Sequence, residues 1–111
     1  MQGKTSKKMT DAQLEESARL FGILSDSSRL KLLRVLMEGE FTVSELILKT
    51  GLKQGNTSKH LGVLLQAGFV GRQQEGNFVR YYLADPRLKS LCGLMCDRIR
   101  DHAAEKAASF A

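Results

Sequence analysis

The chain has 111 residues, enough for one domain with a small core, and its 42% hydrophobic and 26% charged content is an ordinary globular mixture. No apolar run approaches the roughly 20 residues of a membrane span and no secretory signal precedes the pattern, so a membrane partner is excluded and a cytoplasmic setting is expected. The net charge of +5 is concentrated: residues 49–82 hold Lys49, Lys53, Lys59, Arg72 and Arg80 against the single acid Glu75, while residues 11–48 hold seven acids against four bases. A positive field centred on one stretch of chain suits a surface that tracks phosphates.

In chain order, residues 1–9 read as a disordered basic tail with Lys4, Lys7 and Lys8, and residues 10–111 as the folded domain. Thr10 and Gln13 form a capping-box pattern, with Met9 and Leu14 as the flanking hydrophobic staple. The first helix carries Leu14, Ala18 and Phe21 on one stripe. Asp26 caps a second helix whose Leu30, Leu32, Leu33, Val35, Leu36 and Met37 point almost all round, which predicts a central, buried position ending at Gly39. Thr42 and Glu45 repeat the capping box, with Phe41 and Leu46 as staple, and open a third helix that stops at Gly51.

The fourth helix runs from about Gln54 to Ala67. Leu61, Val63, Leu64 and Leu65 crowd its C-terminal half, whereas Gln54, Gly55, Asn56, Thr57, Ser58, Lys59 and His60 fill the N-terminal half. A recognition helix enters the major groove by its N-terminal turns, so this polar-then-apolar order after a tight turn reads as a helix-turn-helix. A merely solvated helix end would look similar, but the local positive charge favours the DNA reading. After Gly68 the period changes to two: Phe69–Gln73 and Phe78–Leu83 are strands around Gln74-Glu75-Gly76-Asn77. The hairpin carries Arg72 and Arg80 and is expected to be a wing that grips the DNA backbone or minor groove.

Asp85 as cap and Pro86 at the first helical position start a long last helix, with Leu88, Leu91, Cys92, Met95, Cys96 and Ile99 on one face. That stripe and the stripe of the first helix exceed what a three-helix core covers, so they predict a homodimer seam. The expected fold class is mainly α with a small β-hairpin: a winged helix-turn-helix that forms a homodimer through its first and last helices. No enzyme is expected, because His60 and His102 lie in different elements and no nucleophile–base pair or phosphate loop is visible. Cys92 and Cys96 are too few for a disulfide framework; one turn apart, they share a helical face with Cβ atoms roughly 5–6 Å apart. They serve either as small apolar filler or as sensing thiols.

From Leu24 to Asp85 the chain closely resembles the ArsR/SmtB family of winged-helix repressors, through SRLKLL in the second helix, TSKHLGVLLQAGFV in the fourth and RYYL closing the wing. The resemblance implies a homodimeric transcriptional repressor that leaves double-stranded operator DNA when a metal ion, metalloid or redox signal arrives. It places Gln54, Asn56, Ser58 and Lys59 where the family touches bases and phosphates, with Thr57 and His60 beside them. Gln and Asn pair with adenine and Lys donates to guanine. His60 either reads DNA or packs at the helix–wing junction, the second being preferred. Lys53 stands where the family puts a hydroxyl cap, so this helix start lacks its usual acceptor, and Gly55 loosens it further.

The family's sensing sites do not carry over. Asp85, Arg87, Arg98 and Asp101 occupy the zinc-type positions, and arginine cannot ligate a cation; Thr42 and Ser44 replace the arsenic- and cadmium-type cysteines and are poor ligands for soft ions. Cys92 and Cys96 remain as the expected input, for arsenite or another soft metal, or for an oxidant or polysulfide, with no cofactor required. The alternatives are a winged-helix protein-interaction module, or an inducer-independent DNA-binding regulator with structural cysteines.

Overall fold

In the computed structural model, which describes residues 8–109, eight elements follow one another: α1 (Asp11–Leu24), α2 (Ser27–Leu36), β1 (Phe41–Thr42), α3 (Val43–Thr50), α4 (Gln54–Gln66), β2 (Val70–Glu75), β3 (Phe78–Leu83) and α5 (Arg87–Ser109). The expected basic tail lies outside the described residues as far as residue 7. Local chemistry opens the helices. At α1, Thr10 Oγ1 accepts from the Gln13 N–H at 3.1 Å while the Thr10 N–H donates to Gln13 Oε1 at 3.0 Å. At α3 the same reciprocal pair joins Thr42 and Glu45. Asp26 accepts from the Ser28 and Arg29 N–H groups and caps α2. Each box satisfies two backbone donors that a helix start would leave bare. The expected staple at α1 buries little, since Met9 and Leu14 are both exposed. Helix α2 stops at Met37, short of Gly39, with the Met37 and Glu38 N–H groups on the Leu33 and Val35 carbonyls.

Helix α2 is central, as its all-round apolar pattern predicts. Leu32, Leu33, Val35 and Leu36 pack with Leu46 of α3, Leu61 and Leu64 of α4, and Phe69, Val70, Tyr81 and Leu88 into one core.

The sheet departs from the expected hairpin. It has three antiparallel strands in the order β1-β3-β2. The added strand is two residues long, pairing Phe41 with Tyr81 and Thr42 with Arg80, so the cap of α3 is also bonded to the wing root. The β2–β3 ladder runs from Val70↔Leu83 to Glu75↔Phe78, which starts β2 one residue late and leaves a two-residue turn at Gly76-Asn77. Gly71 lets the Tyr82 ring lie close over the strand, since a Cβ there would meet the end of that ring at 2.5 Å unless it moved. Beyond Leu88, α5 buries no further side chain among the described residues, and no described helix is long and apolar enough to cross a membrane.

Candidate nucleic-acid interface

The turn between α3 and α4 is built from short-range bonds. Gly51 takes a left-handed φ of 75° and its N–H bonds the Ile47 carbonyl at 2.8 Å, a conformation that L side chains adopt only at a cost. Buried Thr50 donates to the Leu46 carbonyl at 2.6 Å and accepts from the Leu52 N–H at 3.3 Å. Helix α4 therefore leaves α3 at a defined angle. Its N-cap, Lys53, makes no side-chain capping bond, as its residue type predicts.

The N-terminal half of α4 divides into two faces. Gln54, Asn56, Ser58 and Lys59 are exposed, and among the described residues their side chains make no hydrogen bond within the chain. Thr57, expected among the readers, is a correction: it is fully buried and its hydroxyl donates to the Lys53 carbonyl at 2.8 Å. The spacing 57, 61, 64 is the signal that finds it, since Thr57 lies on the stripe of Leu61 and Leu64. His60 is a second correction. It is half-buried and bonded to α2, with Nδ1 accepting from Arg29 Nε at 3.1 Å.

The two wing arginines also part company. Arg72 is exposed on β2, and among the described residues no carboxylate lies within salt-bridge distance of it. Arg80, expected to grip phosphate, is also paired within the chain: Nε donates to Glu75 Oε1 at 2.8 Å and Nη1 lies 3.7 Å from Glu45 Oε1. That pair raises the guanidinium pKa further. Glu45 is held below its usual range first by the Thr42 backbone N–H it accepts from, with Arg80 and Lys49 adding their charges. Lys49 in turn stands over the Phe41 ring, 4.9 Å from its centroid. Within residues 49–82, the exposed cations without an interaction partner among the described residues are Lys53, Lys59 and Arg72.

The two thiols occupy a different side. A groove of about 790 Å³ lies between the end of α1, the start of α2 and α5; Phe21, Leu24, Leu30, Met95, Cys92 and Cys96 are among its lining. Phe21 is 58% exposed, Leu94 62% and Ile99 65%. Cys92 is half-buried and Cys96 exposed, both as free thiols. Burial pushes the Cys92 thiol up, and the charge of a Cys96 thiolate adds to that. No group of three metal-ligating side chains exists among the described residues, so one chain offers a soft ion two sulfurs. At the zinc-type positions Asp85 is engaged by Arg87, whose Nε is 2.9 Å from Oδ1.

Residues 26–71 match the family described as bacterial regulatory protein, arsR family. The chain is 37% identical over 90 residues to the probable mercury resistance operon repressor of Streptomyces lividans, covering 81% of this chain and 72% of that protein. Among solved structures, the homodimeric winged helix-turn-helix DNA-binding domain Mb0332 of Mycobacterium bovis, a possible ArsR-family regulator, gives a TM-score of 0.73 at 27% identity, over 90% of this chain and 95% of that one. The AntR antimony-specific transcriptional repressor gives 0.76 at 25% identity, over 91% and 92%.

Proposed function

The chain belongs to the ArsR family of bacterial regulatory proteins, and from that premise we propose a sequence-specific repressor that holds operator DNA as a homodimer and releases it when a thiol-directed signal reaches Cys92 and Cys96. It is a DNA-binding regulator and not an enzyme. The observation that carries the DNA reading is the bare N-terminal face of α4: four exposed polar side chains without internal partners, on a helix whose other end is core. Gln54 and Asn56 supply bidentate pairing to adenine, Lys59 donates to guanine or phosphate, Ser58 adds a hydroxyl, and Lys53 and Arg72 bind phosphates. The homodimer forms through α1 and α5, whose apolar faces stand exposed, and it sets two reading helices against half-sites about 34 Å apart.

For the signal, the support is chemical. Mercury and antimony, named in the descriptions of two similar proteins, are both thiophilic. Two sulfurs on one helical face of a groove suit such an ion, and a cysteine of the second copy near the two-fold supplies a third donor. A direct Cys92–Cys96 disulfide is less suited, because it needs Cβ atoms about 3.5–4.5 Å apart and would unwind a turn of α5. Either event repacks the seam and changes the spacing of the reading helices.

The test is a titration of reduced protein on a duplex from its own promoter. Binding falls steeply with salt, and one of mercuric ion, antimonite, arsenite, peroxide or polysulfide releases the DNA. The Cys92→Ser, Cys96→Ser double variant binds equally well and is not released. Absence of specific duplex binding would leave an interaction module. Parental release of the double variant would leave the cysteines as core filler.

A further inference from the structure

A single side chain joins the reading helix to the wall of the groove. Arg29, half-buried in the first turn of α2, donates through Nε to His60 Nδ1 on α4 and through Nη1 to the Ile23 carbonyl near the end of α1, each at 3.1 Å. Its position is set by Asp26, which accepts from the Arg29 backbone N–H at 3.1 Å. A planar guanidinium bonded to two acceptors on different elements fixes their separation and relative orientation, which a lysine ammonium does not. Phe21, Leu24, Ser25 and Ser27, on either side of Ile23 and Asp26, line the groove that holds Cys92 and Cys96.

We infer that His60 is a positioning residue: through Arg29 it fastens the reading helix to the α1–α2 junction, so the placement of the base-reading turns depends on the wall of the thiol-bearing groove. The inference rests on the DNA-binding reading above. It also explains why a histidine stands among the readers without pointing outward. Two residues 31 positions apart are held where α4 has no side-chain cap of its own. The bond needs Nδ1 unprotonated, since Arg29 directs an N–H at it.

The test is equilibrium binding of the full chain to its promoter duplex at varied salt. His60→Ala and Arg29→Met each weaken binding about tenfold, as loss of a hydrogen bond to a charged group does, with base preference and salt slope unchanged. The double variant is no weaker than Arg29→Met alone, because Arg29→Met already removes the contact with His60 along with that to Ile23. His60→Asn keeps an acceptor near Nδ1 and binds like the parent. Thermal melts establish that each variant is folded, and His60→Asn decides the matter if Arg29→Met is not. A changed base preference or salt slope in His60→Ala, additive losses, or parental affinity in His60→Ala would overturn the tether alone. Failure of the parent chain to bind any duplex would remove the DNA-binding reading and the tether with it.

Discussion

Helices α2 and α5 are both rich in apolar side chains and end in opposite situations. Four of the 10 residues of α2 are buried, all of them leucine or valine, whereas in the 23 residues of α5 only Leu88 is. Helices α3 and α4 and the sheet wrap α2, but among the described residues nothing covers Leu94, Met95 and Ile99. A contiguous apolar face left open in this way marks a contact site rather than a core. The contrast recurs at smaller scale within α4, where Leu61 and Leu64 are core and Asn56 and Ser58 are bare. Hydrophobicity alone does not say which side chains a fold consumes; the supply of covering surface does.

The largest expected effect is in the core. Leu33→Ala in α2 costs about 2–5 kcal/mol in denaturant unfolding, while Leu94→Ala barely alters unfolding at high dilution and weakens self-association. Equal losses of fold stability in the two would erase the contrast. Next comes the seam: Ile99→Asp yields a monomer by sedimentation, with its helical circular dichroism intact, and lowers operator affinity about 10²-fold by removing the second linked site. A variant of parental mass would place the seam elsewhere.

Within α4, Asn56→Ala costs about 1–3 kcal/mol of operator binding and relaxes base preference without changing the melting temperature. Thr57→Val does the reverse, costing about 1 kcal/mol of stability for the lost hydroxyl bond and leaving base preference alone. On the wing, Arg72→Ala reduces the salt slope by about one, and Arg80→Ala reduces it less because its guanidinium already faces Glu75 and Glu45. An equal reduction would return Arg80 to the phosphate contacts. The smallest effect is on acid stability. Asp26 and Glu45 are held below their ordinary values of 3.8 and 4.5, chiefly by the backbone N–H groups of Arg29 and Thr42. Because both are depressed, their contributions are complete above those values and fade as pH falls through the lower folded ones. Asp26→Asn therefore flattens the acid side of a stability–pH curve, and an unchanged curve would show that this cap contributes nothing.

Much of the fold was legible because its signals are local. Capping boxes at Thr10 and Thr42, the Asp26 cap and the Gly51 turn are read from residues three or four apart, and each is present. The reading face was legible in part. The polar run from Gln54 to His60 was visible, but treating it as one surface overlooked that Thr57 shares a helical stripe with Leu61 and Leu64. Strand β1 was hidden for another reason: two residues carry no periodicity, and only the register of β3 makes Phe41 and Thr42 a strand.

The sequence by itself determined the order of helices, the hairpin, the site of positive charge and the surplus of apolar surface at the two ends, because spacing and composition encode these within a few residues. Tertiary structure alone decided which polar and charged groups remain available. Glu75 and Glu45 meet at Arg80 through strand pairing and the packing of α3 on the sheet, and Arg29 reaches His60 across 31 residues of chain. Such partnerships depend on which elements come together in space, which residue spacing along the chain does not encode.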